Sequence, residues 1–150
     1  MQGYKGLSDD ERKELGLALR LSPALCLIGM TLGVALESPA ILLGIAATAA
    51  LGGFVTGKHP FDLIWDRGLR RLSAGPSLPP TPPPRRFACQ IASVWLVALA
   101  AAHLAGAHTL GLVLGVPLLL VATVVTTTNW CVPSLVYGVL GRWRLRSSVT

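Results

Sequence analysis

Residues 87–129 read FACQIASVWLVALAAAHLAGAHTLGLVLGVPLLLVATVVTTTN, without a single Asp, Glu, Lys or Arg. A soluble domain carries about 25% charged residues, so a run of this kind does not suit a water-facing surface. A helix needs about 20 apolar residues to cross a hydrocarbon core about 30 Å thick. The run divides into two such helices, 87–106 and 109–129, with Ala107 and His108 at the turn.

The same reading extends toward the N-terminus. Residues 15–36 and 39–56 are also long and apolar, and Glu37, Ser38 and Pro39 make a tight turn between them. Arg20 lies near the start of the first span and can snorkel to the interface. Pro23 is expected to kink that helix or to split off an interfacial piece. Ser8 and Glu11 fit a capping box, with Asp9 and Asp10 favouring the positive end of a helix that starts near Asp9. The start of the chain mixes Asp9, Asp10, Glu11 and Glu14 with Arg12 and Lys13, unlike a cleavable signal, which opens basic and turns directly apolar.

Composition agrees. The chain has 150 residues, enough for one domain; 52% are apolar, 13% are charged and the net charge is +6. Mean hydropathy is +0.60. No basic stretch is interleaved with aromatics as on a nucleic-acid surface, so no nucleic-acid partner is expected. The positive charge fits membrane topology better. All 13 basic residues fall in three places: Lys5, Arg12, Lys13 and Arg20; Lys58, Arg67, Arg70, Arg71, Arg85 and Arg86; and Arg142, Arg144 and Arg146. Four spans put these three regions on one side. The turns near 37–39 and 103–108 have no Lys or Arg. The positive-inside rule then places both termini and the loop 57–86 in the cytoplasm. An odd number of spans would split the charges. Tyr4, Phe54, Phe61, Trp65, Phe87, Trp130, Tyr137 and Trp143 lie at or near the same interface, and only Trp95 is well inside a span.

Small residues spaced by four, Gly29 and Gly33, Ala98 and Ala102, Gly111 and Gly115, let helix backbones approach in lipid. Packing within the bundle is the plainer expectation, and a dimer interface the other.

In the central loop, Pro60 suits a first helical position. Phe61, Ile64, Trp65, Leu69 and Leu72 recur on one face of a helix over 60–73. Asp62, Asp66, Arg67, Arg70 and Arg71 fall mostly on the other, with Asp66 and Arg70 spaced as an ion pair. This predicts an amphipathic helix on the membrane surface. Residues 75–84 hold six prolines and should run as an extended strap. The tail carries Leu135, Val136, Val139, Leu140 and Trp143 at helical spacing after Pro133, which predicts a second interfacial helix.

Three segments resemble a known family: Gly57 to Asp62 (GKHPFD), Leu78 to Cys89 with its Arg85-Arg86-Phe87-Ala88-Cys89 ending, and Thr128 to Cys131 (TNWC). With the spacing of the spans, the chain resembles the domain of unknown function 4395 family of small bacterial integral membrane proteins. The resemblance implies a bacterial inner-membrane location and brings no activity with it. Some members carry a second cysteine three residues after the position of Cys131. This chain has Ser134 there, so a dithiol role is not carried over from them.

Cys89 opens the third span and Cys131 follows the fourth, both at the cytoplasmic edge. With His59, Asp62, Arg86 and Asn129 they form the candidate functional cluster, suited to a thiol, a sulfur anion or a small acidic ligand. Arg85 and Arg86 would favour a Cys89 thiolate. The plainer alternative is that both cysteines are small packing residues, and Cys26, inside the first span, is expected only to pack. His103 and His108 alone make a poor metal set. Thr123, Thr126, Thr127 and Thr128 either line a polar path or bond to their own helix, the second being usual. No nucleotide loop or nucleophile-and-base pattern is present, and the spans hold almost no ionisable groups for ion transport.

The sequence therefore predicts a single-domain, all-α membrane protein. It has four transmembrane helices in two hairpins, an interfacial amphipathic helix and a Pro-rich cytoplasmic loop. It is expected to need no cofactor or metal. Its surroundings are the lipid bilayer, with a membrane-protein partner or a second copy left open. The leading expectation is an accessory, scaffold or small-solute-handling subunit acting at the cytoplasmic face rather than an enzyme. The alternatives are a thiol protein using Cys89 and Cys131 for redox or sulfur-compound transfer, and an oligomeric channel or transporter subunit.

Overall fold

The computed structural model describes residues 9–55, 57–70, 77–129 and 136. Ser8 of the expected capping box, Cys131 and the expected tail helix lie outside the described residues.

The described chain is all helical. Helix α1 (Asp9–Ala35) runs through Pro23 as one helix. Helix α2 (Pro39–Ala50) begins with proline at its first position and continues as a π-helical turn, Leu51–Val55. Helix α3 (Pro60–Ile64) also starts on proline and continues into a second π turn, Trp65–Leu69. Helix α4 (Pro83–Leu104) and helix α5 (His108–Thr128) complete the set. The third span was expected to open at Phe87. The helix instead starts at Pro83, because prolines fit the first helical turn, where an N–H has no partner to lose. Pro82, at φ −69° and ψ 155°, ends the extended strap in front of it.

Two tight turns reverse the chain. At Glu37 (φ 46°) the backbone is left-handed, and Ser38 N–H reaches back to Gly33 O at 2.9 Å. At Gly106 (φ 67°), Ala107 N–H bonds to Ala102 O at 2.9 Å. Both bonds satisfy carbonyls that a helix end leaves open.

The helices pack in a ring: α1 on α2, α2 on α4, α4 on α5, and α5 back on α1. Glycines set the closest approaches. A Cβ on Gly29 would collide with Ile45, and one on Gly33 would sit 2.7 Å from Leu42 Cδ2, so these two glycines serve α1–α2 packing within the chain. Met30, Leu42, Ala46, Leu96, Leu99, Ala100 and Leu118 form the central core. A second cluster of Leu15, Ala18, Leu19, Trp65 and Leu78 closes one end of the bundle.

The outside is as apolar as the inside. Leu104 is 71% exposed and Leu120 62% exposed, a pattern that is stable only against hydrocarbon or another apolar surface. The segment Ala18–Ala35 and helices α4 and α5 are each long and apolar enough to cross a membrane. A fourth crossing is counted if Pro39–Val55 and Pro60–Gly68, bent by 90°, are taken together.

The loop helix departs from its expected pattern. Asp62, expected on the polar face, is buried together with Trp65, whereas apolar Ile64 is exposed. A buried partner for Asp62, described below, offsets the cost of burying that carboxylate.

Candidate functional site

The site grows from the bend between α2 and α3. The π turn ends in carbonyls that need donors, and α4 supplies them. Arg86 Nε bonds to Gly53 O at 3.2 Å, Arg86 Nη2 to Phe54 O at 3.4 Å, and Gln90 Nε2 to Gly53 O at 3.1 Å. Gly53 has to be small here, since a Cβ would lie 2.9 Å from Gln90 Cγ and 3.0 Å from its backbone nitrogen. Arg86 is therefore held against the helix end.

His59 sits in the bend and caps α3. Its Nδ1 accepts the Phe61 N–H at 3.3 Å and lies 3.0 Å from Ser22 Oγ on α1. An Nδ1 that accepts carries no proton, so the Ser22 hydroxyl is the donor and the ring proton belongs on Nε2. Burial drives the His59 pKa down to about 4; Asp62 pulls it up and Arg85 presses it further down. The imidazole is neutral at physiological pH, as its accepting role requires.

One turn along α3, Asp62 Oδ1 accepts from Arg85 Nη2 at 3.1 Å, with side-chain exposures of 2% and 7%. Asp66 pairs with Lys58 and accepts the Leu78 N–H at 3.0 Å. Burial would raise the Asp66 pKa, but those two hydrogen bonds and the charges of Lys58 and Arg70 outweigh it and hold the carboxyl below its usual range. The expected Asp66–Arg70 ion pair is thus replaced by Lys58, with Arg70 contributing only its charge. Thr81 N–H bonds to Gly57 O at 2.8 Å, tying the strap to the start of the loop.

Above this network lies a cavity of about 140 Å³, walled by all four long helices and His59. Its polar end carries Ser22, Cys26, His59, Arg85 and Cys89; Met30, Ile45, Leu96 and Leu118 are among its apolar walls. Of the expected cluster, the structure brings His59 and Cys89 to this cavity and sets Asp62 behind it on Arg85. Arg86 and Asn129 do not line it. Asn129 is buried, with a left-handed φ of 57° at the end of α5. Cys131 lies outside the described residues.

The sequence reading missed Cys26 as a cavity residue and favoured Arg86 over its neighbour Arg85. A signal for the first was present: Ser22, Cys26 and Met30 are four apart and share one face of a helix. Nothing in the sequence told Arg85 from Arg86. The threonines have their hydroxyls on their own helix, Thr123 to Leu119 O and Thr126 to Ala122 O, each at 2.8 Å.

An all-helical bundle with an apolar exterior and three to four helices able to cross a membrane defines a protein of the membrane-embedded helical class. The chain belongs to the family described as domain of unknown function (DUF4395), which matches residues 17–142. No curated protein and no solved structure matches it.

Proposed function

We propose that this is a single-domain, four-span protein of the bacterial inner membrane, built as two helical hairpins. Both termini and the loop 57–86 face the cytoplasm. It acts as a non-enzymatic subunit, alone or with a membrane partner, that holds a small solute in the cavity near its cytoplasmic end. The orientation is supported by the basic residues, which all fall in three segments that four spans place together. The solute-handling role is carried by one observation: four helices line a cavity that is largely apolar and carries a few polar groups. That combination is the usual form of a small-molecule site.

The channel reading loses support from the threonines, which bond within α5 instead of presenting a polar path. The thiol reading keeps support from Cys89, which lines the cavity.

The test is purification in native-lipid particles followed by mass spectrometry of what stays bound, for the natural chain and for Ala92→Phe. Ala92 lines the cavity, so phenylalanine there fills it. A small solute that accompanies the natural chain and is lost from the variant is expected. Equal retention by both would overturn the reading.

A further inference from the structure

We propose that the cavity is a soft-metal site that binds Cu(I) through Cys26 and Cys89, with Met30 as a third sulfur donor. The proposal rests on the cavity reading above and names its solute.

Sulfur is scarce in this chain, with three cysteines and two methionines. Three of those five side chains line one cavity. Cys26 and Met30 come from the same face of α1, four residues apart. Cys89 comes from α4, which packs on α2 and α5 while α1 closes the ring opposite it. Cys26 and Cys89 therefore line the cavity from different helices of the ring.

The donor set selects the metal. Among the described residues, no three His, Cys, Asp or Glu side chains gather as a metal site, and no carboxylate lines the cavity. Hard ions such as Mg²⁺ need oxygen ligands, and a structural zinc needs four donors of the nitrogen and thiolate kind. Thiolate and thioether sulfur select Cu(I). Protons and electrons balance. Each thiol gives up one proton as the ion binds, so two protons leave per ion, and no electron is transferred. The resulting bis-thiolate complex carries one negative charge, and Arg85, already paired with Asp62, lines the same cavity. His59 Nδ1 is already committed to Ser22 and Phe61, which leaves sulfur as the ligand.

The test uses the full chain, reduced and anaerobic in lipid nanodiscs, titrated with Cu(I) against the chelator bicinchoninate. One ion per chain is expected. Cys26→Ser and Cys89→Ser should each weaken binding by more than about 100-fold, since loss of a ligand exceeds the 10–100-fold typical of its hydrogen-bonded supports. Met30→Leu should weaken it less, and Cys131→Ser not at all. X-ray absorption at the copper edge should show sulfur neighbours only, a readout on the natural chain that no folding defect can mimic. Nitrogen or oxygen neighbours, or unchanged binding in Cys26→Ser or Cys89→Ser, would overturn the assignment. If copper binding fails while Ala92→Phe still expels a different solute, the metal proposal falls and the cavity reading stands.

Discussion

Asp62 and Arg85 are 3.1 Å apart and nearly sealed from solvent, so removing one should hurt far more than removing both. At that distance Coulomb attraction is about 5 kcal/mol for an effective dielectric near 20. Desolvation of the two charges consumes much of it, and a buried pair is often no better than apolar residues of equal volume. Breaking such a pair from one side costs roughly 3–5 kcal/mol, because the survivor keeps an uncompensated charge. Asp62→Leu and Arg85→Met should each lose that much. The double variant should lose clearly less than their sum, with a coupling of at least about 2 kcal/mol. The assay is reversible unfolding in mixed detergent micelles, followed by helical circular dichroism. Losses that add to within about 0.5 kcal/mol would refute the pairing and the account of why Asp62 is buried.

Three further outcomes follow from named contacts. His59 titrates near 6.5 when unfolded and near 4 when folded, so the unfolded chain takes its proton first as pH falls. Stability should be full above pH 6.5 and fall by roughly 3 kcal/mol toward pH 4; His59→Gln should flatten that slope in unfolding measured against pH. Gly52→Ala would place a Cβ 2.6 Å from His59 Cδ2 and 3.3 Å from its Cα. The ring must shift, and a cost of about 1–3 kcal/mol should come with loss of the His59 pH dependence. Glu37 holds a left-handed turn at φ 46°, which costs a non-glycine residue about 1–2 kcal/mol. Its contact with His108 is exposed on both sides and worth at most about 1 kcal/mol. Glu37→Gly should therefore raise stability slightly in thermal melts, and a clear loss would show that the His108 contact matters more.

The long helices were legible because hydrocarbon-length apolar runs have few other uses. The starts at Pro39 and Pro60 and the turn at Glu37 follow from local chemistry in the same way. The loop was legible only in part. Helical periodicity sorts residues by hydrophobicity, and it assigned Asp62 to the outside because the partner that makes its burial tolerable lies 23 residues further on, at Arg85. Arg85 and Arg86 are equivalent in composition, and only the angle at which α4 meets the bend sends one to Asp62 and the other to the carbonyls of Gly53 and Phe54. Cys26 looked like packing because a thiol in an apolar span usually is. The spacing within α1 puts it on one face with Ser22 and Met30, but that this face borders a cavity depends on which helices close the ring.

The most direct check concerns the side of the membrane that the polar end of the cavity faces. Gly57 is exposed with open space around it, and Ala105 is exposed at the opposite turn. Each can be made the sole cysteine of the chain and exposed to a membrane-impermeant maleimide. The account predicts that Gly57→Cys reacts only in inverted vesicles and Ala105→Cys only in intact spheroplasts. Labelling of Gly57→Cys from outside intact spheroplasts would contradict it.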